Sequence, residues 1–198
     1  PGFIRFSGHI ALLGHKPSAV AFRDIEILDL GRSYSPQQPP DGLAALFDGR
    51  SLDGWTLNGI WAVQESAFGC AGAGLASPPG AFRDFELMLD WQIPPGGGAT
   101  LHLPGGFTLA LGGGKDPAGT LTGDGRATKP ERPASPAAGD WNSLHLSVAR
   151  GKLCVFINGE LVHKGAAVSP AAEGPLLLES GGAGARFRNL FLRQLMLQ

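Results

Sequence analysis

The sequence predicts an all-β protein, and three features lead to that class. Between Phe85 and Ile93 apolar residues occupy every second position, as a strand with one buried face requires. Asn158-Gly159 lies between two apolar runs, and this dipeptide is the strongest short signal for a β-hairpin. No stretch long enough for a helix shows a convincing helical period, so we expect at most one helical turn.

The composition is that of a globular protein with many turns. Of its 198 residues, 43% are hydrophobic and 17% are charged, and 31 glycines and 16 prolines favour short strands joined by loops. The net charge is -1 and the basic residues are scattered, which argues against a nucleic-acid partner. Because no apolar run approaches the roughly 20 residues that cross a bilayer, we expect no transmembrane span in this chain, while association with a membrane assembly stays open.

The two ends of the chain resemble each other. Phe22-Arg23-Asp24-Ile25 is similar to Phe187-Arg188-Asn189-Leu190, and each motif belongs to the second of two short apolar strands. Residues 1–30 are therefore expected to form a β-hairpin, which either derives from a preceding similar domain or adds to the sheet of the complete one. Residues 31–42, rich in proline and glutamine, predict a linker, and residues 43–198 predict one complete domain.

The domain begins with two turn signals, Asp48-Gly49 and Asp53-Gly54, each next to apolar residues. Trp61-Ala62-Val63 begins the next predicted strand. Residues 68–74 are rich in glycine and are expected to pack close to a neighbouring strand.

The segment 85–103 is expected to be the central hairpin of the domain. Its first strand ends at Pro94 and Pro95, three glycines then allow a reversal, and the alternation resumes at Ala99. Residues 107–111 alternate in the same way. They predict a third strand of the same sheet.

A long segment rich in glycine, proline and alanine, residues 112–139, follows without a helical or strand period. Loops of this length are usually functional or mobile, so we expect this one to contact a partner. Residues 144–148 and 153–157 then predict two further strands, the second of which leads into the Asn158-Gly159 turn.

Cys70 and Cys154 are the only cysteines, and both fall inside predicted strands. The spacing around neither is that of a metal site. We expect two buried thiols, with a disulfide between strands as the alternative, which would favour an oxidising compartment. Since the GxSxG, HExxH, Walker and CxxC motifs are also missing, the sequence indicates neither a metal nor a cofactor.

The candidate site is a polar face on the predicted central hairpin. His102 is expected to share this face with Asp90 and Gln92. Thr108 is expected to lie on the same face, on the neighbouring strand. Asp90 and His102 are the candidate catalytic residues, since a histidine beside a carboxylate can act as a base. Glu86 lies on the face of Asp90 but about 13 Å away along the strand, which is too far for a pair of catalytic carboxyl groups.

Other polar and aromatic residues favour structural roles. His102, His145 and His163 each lack a second histidine nearby and are more typical of hydrogen-bonded structural residues. Asn142 is expected to bind loop backbone, while Trp141 fills the edge of the core. The positions of Trp55, Trp61 and Trp91 favour the core over stacking on sugar rings.

Four segments together resemble one known family, the 3-keto-disaccharide hydrolase domain. They are residues 46–55 (LFDGRSLDGW), 82–103, 139–162 and 185–192 (ARFRNLFL), and the resemblance spans about residues 43–195. It implies a concanavalin-like jelly-roll β-sandwich of two antiparallel sheets with a sugar-facing surface, common in secreted or periplasmic proteins. It also implies that residues 1–30 are the closing strands of another copy of the domain.

The sequence departs from the family pattern where the family is expected to hold its sugar. The strand after the proline-glycine turn, residues 99–104, lacks the usual arginine, and the next strand has Thr108 and Ala110 in place of glutamate and glutamine. We therefore expect a non-catalytic module that serves as a binding or structural subunit of a larger extracytoplasmic assembly. Its partners would be other protein subunits or a glycan. The alternatives are a hydrolase of 3-keto-glycosides and a carbohydrate-binding module.

Overall fold

The computed structural model describes residues 38–132, 134–168 and 173–196. Fifteen strands lie within these ranges. The first eight are β1 (Ala44–Ala45), β2 (Thr56–Asn58), β3 (Trp61–Gln64), β4 (Ala67–Cys70), β5 (Gly74–Ser77), β6 (Phe85–Gln92), β7 (Gly97–Leu103) and β8 (Phe107–Gly112). The others are β9 (Leu121–Gly123), β10 (Arg126–Thr128), β11 (Trp141–Ala149), β12 (Lys152–Ile157), β13 (Glu160–Ala167), β14 (Leu177–Gly182) and β15 (Ala185–Gln194).

The strands form two antiparallel sheets, which confirms the all-β class. The eight-stranded sheet has the order β13-β12-β11-β6-β15-β4-β3, with β1 paired to β15. The seven-stranded sheet has the order β10-β9-β8-β7-β14-β5-β2.

The core lies between the two sheets and is built from the apolar residues that alternate along each strand. In β6 the buried positions are Phe85, Leu87, Leu89 and Trp91, and the positions between them are only partly buried. The same alternation runs through β7, β8 and β11. One face of each sheet is therefore apolar and internal, and the other is polar and external.

The predicted β-hairpin at Asn158-Gly159 is confirmed. β12 and β13 pair on either side of it, and the two residues have φ values of 50° and 82°. Both turn positions of a type I′ hairpin require positive φ, which asparagine and glycine adopt at low cost.

The prediction of a central hairpin at residues 85–103 is wrong. β6 pairs with β11 and β15 in one sheet, and β7 pairs with β8 and β14 in the other. The turn at Pro94, closed by a hydrogen bond from the Gly97 amide to the Pro94 carbonyl (2.9 Å), connects the sheets across the edge of the sandwich. Alternation identifies the buried face of a strand but not its neighbours, so it cannot separate a hairpin from such a connection. The strand at residues 107–111 does lie beside β7.

The segment 112–139 contains a strand pair that the sequence analysis missed. β9 and β10 form a short hairpin around Asp124-Gly125, whose φ values are 49° and 71°. Each strand has only three residues, too few for a period to be visible. A contact between this segment and a partner stays a prediction.

Cys70 and Cys154 are both free, the first buried and the second half-buried. They lie on β4 and β12, which are separated by β15, β6 and β11 in the same sheet. At about 4.8 Å per strand the two residues are about 19 Å apart, whereas the Cα atoms of a disulfide lie within about 7 Å. The alternative of a disulfide between them is therefore wrong. The expected hairpin at residues 1–30 and most of the linker at 31–42 lie outside the described residues.

Candidate functional site

The four residues of the predicted site divide between opposite faces of the molecule. Asp90 and Gln92 lie on the outer face of the eight-stranded sheet, and His102 and Thr108 lie on the outer face of the seven-stranded sheet. The expectation that they share one face is wrong, because it rested on the central hairpin. The core of the sandwich separates Asp90 from His102.

Asp90 is held in a network of the eight-stranded sheet. Its Oδ2 accepts a hydrogen bond from Asn189 Nδ2 (2.7 Å) and lies 3.4 Å from Arg188 Nε. The side chains of Asp90 and Arg188 are 13% and 15% exposed. Asn189 has a φ of 53° and lies at a register shift between β15 and β6. Asp90 thus fixes an irregular point of the sheet, which is a structural role.

Gln92 and Trp141 extend this network along the same face. The Gln92 amide donates to the Gly139 carbonyl (2.7 Å), and its oxygen accepts from Arg186 Nη1 (3.4 Å). The guanidinium of Arg188 lies over the Trp141 ring, 3.8 Å from the centroid. The prediction that Trp141 fills the edge of the core is therefore wrong, since its ring lies outside and is covered by a cation.

Glu86, also on this face, is held from two sides. Its carboxylate lies 2.8 Å from His145 Nε2 and accepts a second hydrogen bond from Arg193. Burial raises the pKa of Glu86, but the hydrogen bonds from His145 and Arg193 outweigh burial and hold the pKa below its ordinary value. The carboxylate is stabilised as an anion by the fold itself.

A hollow of about 490 Å³ lies at one end of the same face. Small side chains and the two prolines after β6 line most of it, and Arg186 and Gln92 provide polar groups. Ile60, at its rim, is 83% exposed.

His102 has a partner that the sequence analysis did not identify. Its Nε2 lies 2.6 Å from Glu179 Oε2, which comes from the neighbouring strand β14. The His102 side chain is 31% exposed and that of Glu179 is 46% exposed, so both are open to a ligand. A carboxylate beside one ring nitrogen orients the ring and leaves the other nitrogen available to a ligand.

The strand positions next to this pair carry small, uncharged side chains. Thr108 lies opposite His102 on β8, and Ala110 lies opposite Thr100 in the same way. A depression of about 270 Å³ opens beside Glu179, with Thr100 and Ala110 in its lining and Lys115 and Asp116 at its side. Here the positions that depart from the family pattern, Thr108 and Ala110, face outward beside His102.

The structural roles predicted for several other residues are confirmed. Asn142 is buried and bonds the backbone of Ala137 and Asp140. His163 is buried, with Nε2 2.6 Å from the Gly119 carbonyl. Trp91 is fully buried, and Trp55 and Trp61 pack against the core.

The sequence analysis did not identify Glu179 because this residue is 77 residues away from His102 in the chain. The alternation in residues 176–180 (LLLES) places it on an outward position, but nothing local says that its strand lies beside β7. Arg186 and Arg188 belong to the family-like ARFRNLFL motif, which the sequence analysis used only as a signature.

Across the described ranges, no group of three or more His, Cys, Asp or Glu side chains is placed to hold a metal ion. In the same ranges, no helix is long and apolar enough to cross a membrane.

A family model matches residues 42–193, and its description is 3-keto-alpha-glucoside-1,2-lyase-like domain. No protein of curated function matches the chain. The matched range agrees closely with the segments that carried the resemblance in the sequence.

The names of several solved structures of similar fold refer to carbohydrate. A candidate glycosyl hydrolase from Parabacteroides distasonis superposes with a TM-score of 0.59 at 17% identity, over 78% of this chain and 94% of that chain. The carbohydrate-binding module CBM66 from Bacillus subtilis gives 0.56 at 19% identity, over 71% and 96%. The exoplasmic/lumenal domain of VIP36, bound to Ca²⁺ and Man3GlcNAc, gives 0.55 at 13% identity, over 80% and 92%. At these identities the likeness shows the fold alone, a lectin-like β-sandwich.

Proposed function

Because the chain belongs to the 3-keto-alpha-glucoside-1,2-lyase-like domain family, we propose that it is a non-catalytic descendant of that family that binds a glycan on its seven-stranded sheet. It serves as a subunit of a larger extracytoplasmic assembly. The β-sandwich is related in fold to candidate glycosyl hydrolases and to carbohydrate-binding modules.

One observation carries the proposal. Among the described strands of the seven-stranded sheet, Glu179 is the sole carboxylate, and His102 is the sole histidine. Cleavage of a glycosidic bond through an oxocarbenium-like state generally needs two carboxyl groups on either side of the bond. The strands of this sheet supply one, already engaged with His102, and Asp116 lies beside the depression in the exposed segment after β8. The polar groups of this face therefore suit the binding of sugar hydroxyl groups better than the cleavage of a glycosidic bond.

The placement in an extracytoplasmic assembly rests on the sequence. The family resemblance favours secreted or periplasmic proteins, and the segment 112–139 offers a large surface for a protein partner. Purification from the native host would test this part: we expect the chain to elute above the mass of a single copy, with other subunits.

Two measurements on the purified protein test the glycan-binding part. With methyl 3-keto-α-glucoside as substrate, we expect no product above the buffer rate. With a panel of neutral methyl glycosides, isothermal titration calorimetry should detect saturable binding. Turnover that disappears in a His102→Ala variant would overturn the non-catalytic assignment, and failure to bind any glycan would overturn the binding role.

The His102–Glu179 pair favours a second candidate, 1,2-elimination on a 3-keto-glycoside. The ketone at C3 makes the proton at C2 acidic. A base can remove that proton, the electron pair forms the C1–C2 double bond, and the C1 oxygen leaves with a proton supplied by solvent. His102, oriented by Glu179, could be that base, and this reaction needs no second carboxylate. Addition of water to the product would amount to net hydrolysis.

Deuterium at C2 separates the candidates. An eliminating enzyme would release the C2 deuterium and form an unsaturated ketone that absorbs in the ultraviolet. Loss of both signals in His102→Ala would support the lyase, and their absence in the wild-type protein would remove it.

A further inference from the structure

Beside the His102–Glu179 pair, the outer face of the seven-stranded sheet contains the depression of about 270 Å³ described above. It is smaller than the sites of typical drug-sized ligands, about 300–1,000 Å³. Its size suits a single sugar ring.

The floor of the depression is formed by two glycines that the fold does not require. Gly98 and Gly181 lie opposite each other on β7 and β14, and both occupy outward positions. Neither has a positive φ. A Cβ atom on Gly181 would meet nothing within 4 Å, and one on Gly98 would meet the backbone of Gly113 at 3.7 Å and of Gly112 at 3.8 Å, which are ordinary contacts.

A glycine inside a strand is unfavourable by about 0.5–1 kcal/mol relative to alanine. Neighbouring glycines have steric reasons: a Cβ on Gly97 or on Gly113 would collide with backbone. Gly98 and Gly181 have no such reason in the described structure. A strand glycine often marks a bulge, a tight bend, or a place where a ligand or another backbone approaches closely. Gly98 lies beside the register shift at Ala99 and Thr100, whereas nothing in the described structure approaches Gly181, which leaves a ligand as the reason for that glycine.

The walls of the depression carry unused hydrogen-bonding groups. Glu179 contacts His102 through Oε2, and its Oε1 has no partner among the described residues. Thr100 offers a hydroxyl from the adjacent outward position of β7. The exposed side chains of Lys115 and Asp116 also line the depression.

We propose that this glycine-floored depression binds one neutral pyranose ring, which lies flat on Gly98 and Gly181 with its hydroxyl groups directed to Glu179 Oε1 and Thr100. This inference rests on the proposed glycan-binding function and gives it a location and a ligand class.

Two features define that class. The described lining has no aromatic side chain, so recognition depends on hydrogen bonds and not on ring stacking. Glu179 and Asp116 against Lys115 leave an excess of negative charge, which disfavours uronic acids and sulfated sugars. A carboxylate accepts from two neighbouring hydroxyl groups of a neutral sugar without that penalty.

The test compares a variant that fills the floor with one that adds a similar side chain elsewhere on the sheet. Gly181→Val should raise the Kd for the best-bound methyl glycoside at least about tenfold, because the ring can no longer reach the sheet. Its melting temperature should stay the same or rise, since valine suits a strand. Ala127→Val, at an exposed position of β10 outside the depression, is the matched control and should leave the Kd unchanged.

Glu179→Gln keeps the shape of the wall and should weaken binding about tenfold, as expected for the loss of a charge-assisted hydrogen bond. The panel contains methyl α-glucoside, methyl α-mannoside, methyl β-galactoside and glucuronate, each titrated into the whole chain. We expect the neutral sugars to bind more tightly than glucuronate.

The outcomes are distinguishable. If the wild-type protein binds a sugar and Gly181→Val and Glu179→Gln bind it equally well, the glycan lies outside the depression: the inference fails, and glycan binding itself stands. Tighter binding of glucuronate than of every neutral sugar would overturn the inference in the same way. If the wild-type protein binds no sugar of the panel, both the inference and the proposed glycan-binding function fail.

Discussion

The two outer faces of the sandwich differ in how their polar groups are used. Strands of the eight-stranded sheet carry most of the charge, and two of its acidic residues, Glu86 and Asp90, are bound by histidine, arginine or asparagine side chains. Strands of the seven-stranded sheet have one carboxylate, Glu179, which lines an open depression and uses one oxygen to bind His102. The outer face of the eight-stranded sheet, which we call the structural face, thus has many charges that bind one another. The outer face of the seven-stranded sheet has an exposed group that can still bind a ligand.

The largest expected effect is on stability, from Asp90→Ala. The change leaves Asn189 and Arg188 without their shared acceptor in a largely buried place. We expect the free energy of unfolding to fall by about 2–3 kcal/mol, measured by urea denaturation, with no change in glycan affinity.

The control for this change is Glu160→Ala, an exposed acidic position at the edge strand β13, which should alter stability little. Loss of glycan binding in folded Asp90→Ala would contradict the assignment of Asp90 to the structural face.

The next effect concerns the pH dependence of stability and is tested with Glu86→Gln. The pKa of Glu86 is lower in the folded protein than its ordinary value of 4.5. The ionised form therefore stabilises the fold above that value, and this contribution is lost as the pH falls through the folded pKa.

Unfolding curves of Glu86→Gln and wild type should therefore differ at neutral pH and converge in acid. The effect should be smaller than that of Asp90→Ala, because Arg193 is 45% exposed and its ion pair is screened. A difference that grows on acidification would contradict the role given to His145 and Arg193.

These two expectations could not come from the sequence, because its alternation says only which side of a strand is buried. The alternating residues of β6 and the Asn158-Gly159 turn were enough to predict an all-β protein, and the family resemblance implied the sandwich. Whether β6 and β7 pair depends on contacts with β11, β14 and β15, far along the chain. For that reason Asp90 and His102 were expected together, and Glu179 was not found.

A smaller effect is expected from Trp141→Leu. The change removes the ring under the Arg188 guanidinium but keeps an apolar side chain. Stability should fall by about 0.5–1 kcal/mol, the range for a partly exposed cation–π contact. If this variant lost glycan affinity at unchanged stability, Trp141 would instead be a residue that stacks on a sugar ring.

Reducing agents are expected to have no effect on stability. Cys70 and Cys154 are both free thiols. The melting temperature should therefore be the same with and without dithiothreitol, and a drop on reduction would mean that one of them forms a disulfide.

The central claim is that ligands meet this protein on the seven-stranded sheet and not on the charged face opposite. A titration of the ¹⁵N-labelled chain with the best-bound methyl glycoside, followed by NMR, tests it on both faces at once. We predict that the amide signals of Thr100, Ala110 and Gly181 shift in a saturable way while those of Ser143 and Arg188 stay in place. Shifts confined to Ser143 and Arg188 would contradict the account.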